Sequence, residues 1–126
     1  MSKEIIYTEN APAPIGPYSQ GVKAGGFLFL SGQIALDAKT GELVNADITS
    51  ETHQVMKNII ALLTTANATT ANIVKTTIFL SDMSLFATVN EVYASYFESN
   101  APARETVAVK GLPKNVNVEI SVTAFL

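Results

Sequence analysis

The sequence predicts an α+β domain in which one sheet carries two helices on the same face. Three observations lead there. Apolar residues occur in short strand-like runs near both ends of the chain, and they recur at helical spacing in two longer stretches. The runs follow one another in the order β-β-α-β-α-β-β. Two helices laid on one sheet make a stable two-layer arrangement. The second sheet face is then left bare, and if it carries small and apolar groups, self-association would cover it.

Each element has a local cause. Ala11-Pro12-Ala13-Pro14-Ile15-Gly16-Pro17 is the one Pro-rich piece. Proline fixes its own φ and restricts the residue before it, so this piece reads as a defined extended loop. Gly25-Gly26 between apolar runs at 22–24 and 27–30 is a two-residue hairpin signal. Ser31-Gly32-Gln33 follows, where glycine permits close approach of another group. Residues 37–41 form a polar turn. A helix is expected from Asp47 to about Asn67, capped by Asp47 or Thr49, with Val55, Ile59, Leu62, Leu63 and Ala66 along one stripe. Residues 73–80 are β-branched and apolar, hence a strand. A second helix should run from near Ser84 to near Phe97, with Phe86, Val89, Tyr93 and Tyr96 or Phe97 as its stripe, until Ser99-Asn100-Ala101-Pro102 stops it. Residues 104–110 and 116–125 read as a final hairpin joined through Gly111-Leu112-Pro113-Lys114-Asn115.

Composition bounds the chemistry. The chain has 126 residues, 48% of them hydrophobic, which suits one domain over 1–126 with an ordinary packed core. It has no cysteine, so disulfides, thiol nucleophiles and cysteine metal sites are excluded. His53 is the only histidine, which leaves little room for a histidine metal centre or a Ser-His-Asp triad; it reads as a solvated surface residue. The net charge is −3 and no basic run is present, which argues against a nucleic-acid partner. Met1-Ser2-Lys3-Glu4 lacks the form of a secretory signal, and no apolar stretch is long enough to span a bilayer. A soluble, cytoplasmic protein without a membrane partner is the expectation.

Arg104 is the only arginine. Its planar fork matches a carboxylate two-pronged, which lysine cannot do. Alternation puts Arg104, Thr106 and Ala108 on one face of their strand and Asn117, Glu119, Ser121 and Thr123 on one face of the next. Aligning the apolar sets of the two strands sets Thr106 opposite Glu119, with Arg104 one step along. An arginine, a hydroxyl and a carboxylate would then converge. That pattern fits a plain Arg104–Glu119 ion pair and a small-anion site with a carboxylate beside it equally well.

Several motifs resemble the Rid/YjgF family, the reactive intermediate deaminases. They are Gly16-Pro17-Tyr18-Ser19-Gln20-Gly21, Ser31-Gly32-Gln33-Ile34, Ile73-Val74-Lys75-Thr76-Thr77, Phe86-Ala87-Thr88-Val89-Asn90, Pro102-Ala103-Arg104 and Val118-Glu119-Ile120. They occur in the family's order from about Ile15 to Ala124. The resemblance implies a chorismate-mutase-like α+β fold of the bacillus type, assembled as a homotrimer around a central β-barrel with ligand sites between subunits. It implies hydrolysis of 2-imino acids and their enamine tautomers, such as 2-aminoacrylate, 2-iminopropanoate and 2-iminobutanoate, to 2-oxo acids and ammonia, with no metal and no organic cofactor. It implies that Arg104 grips the substrate carboxylate and that Glu119 positions or activates water. Tyr18, Ser31, Gly32 and Asn90 match cleft residues. Blander roles stay open for three of them: Tyr18 as packing at a subunit boundary, Asn90 as a loop cap or water ligand, and Ser31 as part of its turn.

Two positions depart from the family pattern. Thr106 stands where many members have cysteine; this removes a thiol role but keeps a backbone N–H for the ligand. Glu105 stands where a small residue is usual, and alternation turns it onto the Val107 face, away from Arg104. Competing readings are a non-catalytic or regulatory protein that binds a 2-oxo acid or another small carboxylate, an endoribonuclease or translation inhibitor, and a chaperone-like holdase. The acidic balance and the sole arginine weigh against the nuclease, and no long apolar run suggests the holdase.

Overall fold

A computed structural model describes residues 2–126; Met1, which opens the segment read for a secretory signal, lies outside the described residues. The elements are β1 (Glu4–Ile6), β2 (Gly21–Ala24), β3 (Phe27–Gln33), α1 (Ile48–Thr65), β4 (Ile73–Leu80), α2 (Phe86–Ala94), β5 (Ala103–Ala108) and β6 (Val118–Phe125). The strands form one sheet in the order β1-β2-β3-β6-β4-β5. No helix among the described residues is long and apolar enough to cross a membrane.

The local expectations hold where chemistry is local. Gly25 and Gly26 take φ of 59° and 84°, and β2 pairs with β3 across them. The Asp47 side chain accepts from the Ser50 N–H at 2.7 Å and starts α1. Val55, Ile59, Leu62, Leu63 and Ala66 are all buried, so the predicted stripe is the buried face. It packs on Leu28, Leu30, Ile78, Leu80, Ile120 and Val122 of the sheet, joined by Val89 and Tyr93 of α2. Fully burying one such aliphatic side chain stabilises by about 1.5–3 kcal/mol.

The expected final hairpin does not form. β5 lies parallel to β4, with Arg104 beside Thr76 and Thr106 beside Ile78. β6 lies antiparallel to β4 on its other side, with Glu119 beside Phe79, and antiparallel to β3. The Thr106–Glu119 pairing is therefore corrected: β4 stands between the two strands. The physical reason is that α2 connects β4 to β5, and a helical crossover brings the next strand in parallel. The four buried residues Ile73, Thr76, Ile78 and Leu80 place β4 inside the sheet, whereas β5 has no buried residue and closes the edge.

Smaller differences follow. β1 is an additional edge strand against β2. Helix α2 ends at Ala94 because Tyr96 and Phe97 donate to carbonyls three residues back, a tighter turn than the α-helix. Phe86 leaves the core stripe and stands near Arg104. On the sheet face away from the helices, Phe27, Phe29 and Phe125 form an exposed aromatic cluster.

Candidate functional site

Paired residues on neighbouring strands point to the same side of a sheet. Arg104 is level with buried Thr76 and so lies on the helix side. Glu119 is level with Phe79 and lies on the opposite side. The structure therefore splits the predicted site residues into two groups, and within one chain it does not bring Arg104 and Glu119 together. The Arg104–Glu119 ion pair is absent; the ion pair among the described residues is Lys75–Glu105 at 3.0 Å. Thr77 also donates to Glu105, and Lys75 and Thr77 together hold that carboxyl below its usual range. Glu105 thus turns away from Arg104, as its alternation indicates.

The acidic group lines a cleft of about 340 Å³ that contains Tyr18, Ser31, Gly32 and Glu119, with Ile15 and Ile34 among its apolar walls. The Glu119 carboxyl is half-buried, and burial pushes its pKa above the usual glutamate value. Gly32 is glycine for a steric reason: a Cβ there would stand 2.0 Å from Glu119 Oε2. The register of β3 against β6 shifts between Leu30 and Gln33, which lets the strand give way beside the carboxyl. Ser31 spends its donors locally, its N–H on the Gln20 carbonyl at 3.0 Å and its hydroxyl on the Ser19 carbonyl at 2.6 Å. It lies inside β3 and not in the expected turn, and it ties that strand to the Ser19–Gln20 segment. The Tyr18 oxygen accepts from the Ile15 N–H at 3.3 Å, which leaves the phenol proton free.

Sequence reasoning missed Gln20. Its side chain is buried and makes four hydrogen bonds, to the Thr8 N–H and to the carbonyls of Thr8, Ala11 and Pro12. One amide thus folds the Pro-rich loop into the cleft wall. Its signal was its place directly after the Tyr18-Ser19 pair, but nothing local names its partners.

The basic group lines a second cleft, about 410 Å³, that contains Asn90, Tyr93 and Arg104. Arg104 Nη1 donates to Asn90 Oδ1 at 2.8 Å. Its guanidinium carbon lies 5.0 Å from the Tyr93 ring centre and 5.7 Å from that of Phe86, a cation–π setting. The Tyr93 hydroxyl shares a 2.8 Å hydrogen bond with Thr76, and burial raises its pKa against opposing contributions from Thr76 and Arg104. Asn90 thus acts on the guanidinium. The Thr106 hydroxyl oxygen, on the same side of the sheet, is buried and has no hydrogen-bond partner within the chain. The result is a cation held on three sides with no carboxylate to neutralise it.

His53 is exposed on α1, and its Nδ1 lies 2.7 Å from the Tyr96 hydroxyl. The described residues hold no group of three or more His, Asp or Glu side chains suited to a metal ion.

This arrangement defines the class: a one-sheet α+β protein with helices on one face and two clefts, one holding a carboxylate and the other a guanidinium, which point to opposite sides of the sheet. Comparison with known proteins narrows it. The family described as endoribonuclease L-PSP matches residues 8–126. A RutC family protein of Pyrococcus horikoshii is 54% identical over 98% of each chain. The chloroplastic Reactive Intermediate Deaminase A of Arabidopsis thaliana is 45% identical over 100% of this chain and 67% of its own length. A solved structure of a conserved Rid family protein from Yersinia pestis superposes with a TM-score of 0.97 at 48% identity, covering 99% of this chain and 100% of that one. The chain belongs to the YjgF/Rid family.

Proposed function

We propose that this protein hydrolyses reactive 2-imino acids and their enamine tautomers to 2-oxo acids and ammonia. The observation that carries the reading is an uncompensated, pre-oriented guanidinium at Arg104 together with a half-buried carboxyl at Glu119, in clefts sized for small molecules. The two groups lie on opposite sides of the sheet, so a complete site takes Arg104 from one copy and Glu119 from another. A homotrimer with the exposed Phe27, Phe29 and Phe125 turned toward its centre supplies that arrangement, and a 2-imino or 2-oxo acid is the partner it accepts.

Arg104 binds the substrate carboxylate two-pronged, with Asn90 and Tyr93 fixing its plane. Water adds to the carbon of the protonated imine while the Glu119 carboxylate takes the proton that water gives up. The carbinolamine then breaks its C–N bond: Glu119 returns that proton to nitrogen, ammonia leaves as the hydroxyl gives its own proton to the Glu119 carboxylate and closes to the 2-oxo group, and the carboxyl passes that proton to the departing ammonia or to water. Tyr18 donates to substrate or water, Gly32 leaves room for the carboxyl, and the Thr106 hydroxyl completes the Arg104 side. The chemistry uses side chains alone, without metal or cofactor.

The test is ammonia and 2-oxo acid release from an imine generated in place by an amino acid oxidase or a dehydratase. Acceleration over the spontaneous reaction, from particles about three times the 13.4 kDa chain mass, supports the reading; spontaneous rates at saturating protein refute it. A second reading, binding of a small carboxylate without turnover, is favoured by one observation, that no carboxylate or histidine lines the cation cleft around Arg104. Tight 2-oxo acid binding without ammonia release would select it.

A further inference from the structure

Glu51 is fully buried in the first turn of α1, and among the described residues no lysine or arginine pairs with it. An unpaired buried carboxyl is expensive unless donors surround it. Three do. Oε2 accepts from the Asn117 N–H at 2.7 Å and the Val118 N–H at 3.2 Å, and Oε1 accepts from the Asn117 side-chain amide at 3.0 Å. The start of the helix adds its own favourable dipole.

The place of these contacts matters more than their number. The pairing of β6 with β3 stops at Ile120, opposite Gln33. Glu119 lies just beyond that last pair, and on its other side come Val118 and Asn117, the two residues whose N–H groups Glu51 holds. β4 still pairs with this stretch on one edge, through Phe79 and Leu80, but on the β3 edge the backbone at Glu119 lies between the end of a ladder and a buried carboxyl that takes the place of the missing strand. Asn117 extends the link: its Oδ1 accepts from the Ser81 hydroxyl at 2.9 Å, and its carbonyl accepts from the Ser81 N–H at 3.0 Å. Ser81 directly follows β4 and begins the turn that leads into α2, which carries Asn90 and Tyr93.

We infer that Glu51 is a positioning residue: through Asn117 and Val118 it sets the backbone that aims Glu119 over Gly32, and through Asn117 and Ser81 it ties that placement to the segment leading to Asn90. The kinetic consequence rests on the hydrolytic reading above; the structural consequence does not. Substrate affinity stays with Arg104 on the other side of the sheet, so the effect falls on turnover.

The experiment compares wild type with Glu51→Ala, Glu51→Gln and Asn117→Ala, each checked for folding by circular dichroism. Two quantities are read: kcat and KM for imine hydrolysis, and the titration of the Glu119 carboxyl by carbon NMR, assigned with Glu119→Gln. Loss of the clamp lets Glu119 swing into water. In Glu51→Ala the titration midpoint should fall toward the ordinary glutamate value, and kcat should drop about 10- to 100-fold with KM within about twofold. Glu51→Gln keeps an acceptor oxygen for the two backbone N–H groups and should recover most of the loss relative to Glu51→Ala. Asn117→Ala should move both quantities in the same direction, more weakly, and it decides the matter if Glu51→Ala does not fold. A folded variant that lowers only the melting temperature, with Glu119 titration and kcat as in wild type, overturns the inference. If wild type itself shows no turnover, the hydrolytic reading fails while the NMR titration still tests the clamp.

Discussion

The Glu119 carboxyl stands so close over Gly32 that a methyl group there would lie 2.0 Å from Oε2. Gly32 does not take a positive φ, so its backbone tolerates alanine and the conflict is purely with the carboxyl. Gly32→Ala should therefore fold, displace Glu119 and lower kcat by about 100-fold, the lower range for a lost general base. Steady-state kinetics with a melting curve check it; a folded Gly32→Ala protein of normal kcat would show that this placement is irrelevant to turnover.

Glu119 should also set a pH dependence. Burial raises its pKa above the usual 4.5, and a base must be ionised, so kcat should fall with decreasing pH through a midpoint above 4.5. Stability runs the other way. A carboxyl whose folded pKa is raised contributes stability that is full below the unfolded value and is lost as pH rises through the folded one. Glu119→Gln should thus melt higher than wild type at neutral pH while losing about 100- to 10,000-fold in kcat. Paired melting and rate profiles across pH measure both.

Arg104 should govern substrate binding. Arg104→Ala removes two charge-assisted hydrogen bonds and should lower kcat/KM by about 100-fold or more, and Arg104→Lys should recover little because it lacks the planar fork. Asn90→Ala frees the guanidinium to rotate and should raise KM by about 10-fold with little change in kcat. Equal effects of Asn90→Ala on both constants would speak for direct contact with the reacting atoms.

Gln20 should be a stability residue. Gln20→Ala strands buried carbonyls of Thr8, Ala11 and Pro12, and leaving buried groups unsatisfied should cost about 2–4 kcal/mol in denaturant unfolding. A change under about 0.5 kcal/mol would mean that water replaces the amide without loss.

The sequence was readable where one residue's chemistry decides the outcome. Gly25-Gly26 could only be a tight turn, Asp47 had a helix start to cap, and the α1 stripe had one face to bury. It misled where two alternating strands sat next to each other in the chain. Aligning the apolar sets of residues 104–110 and 116–125 is sound only if the two strands are neighbours; the helix between β4 and β5 signals that β5 runs parallel to β4, but no local pattern places β6 on the other side of β4. The site inherited that error: Arg104 and Glu119 were named from their chemistry and family resemblance, yet their relative placement required the register. Gln20 and Glu51 escaped notice because their partners are mostly backbone groups distant in sequence, which leave no pattern in side-chain types.

The most direct test of the composite site is complementation. Arg104→Ala and Glu119→Gln chains, each inactive alone, are mixed in equal amounts, unfolded together and refolded, and imine hydrolysis is measured. If each site draws Arg104 from one copy and Glu119 from its neighbour, random trimers should regain about one quarter of wild-type activity per chain. Mixed trimers that form but stay inactive would contradict the account.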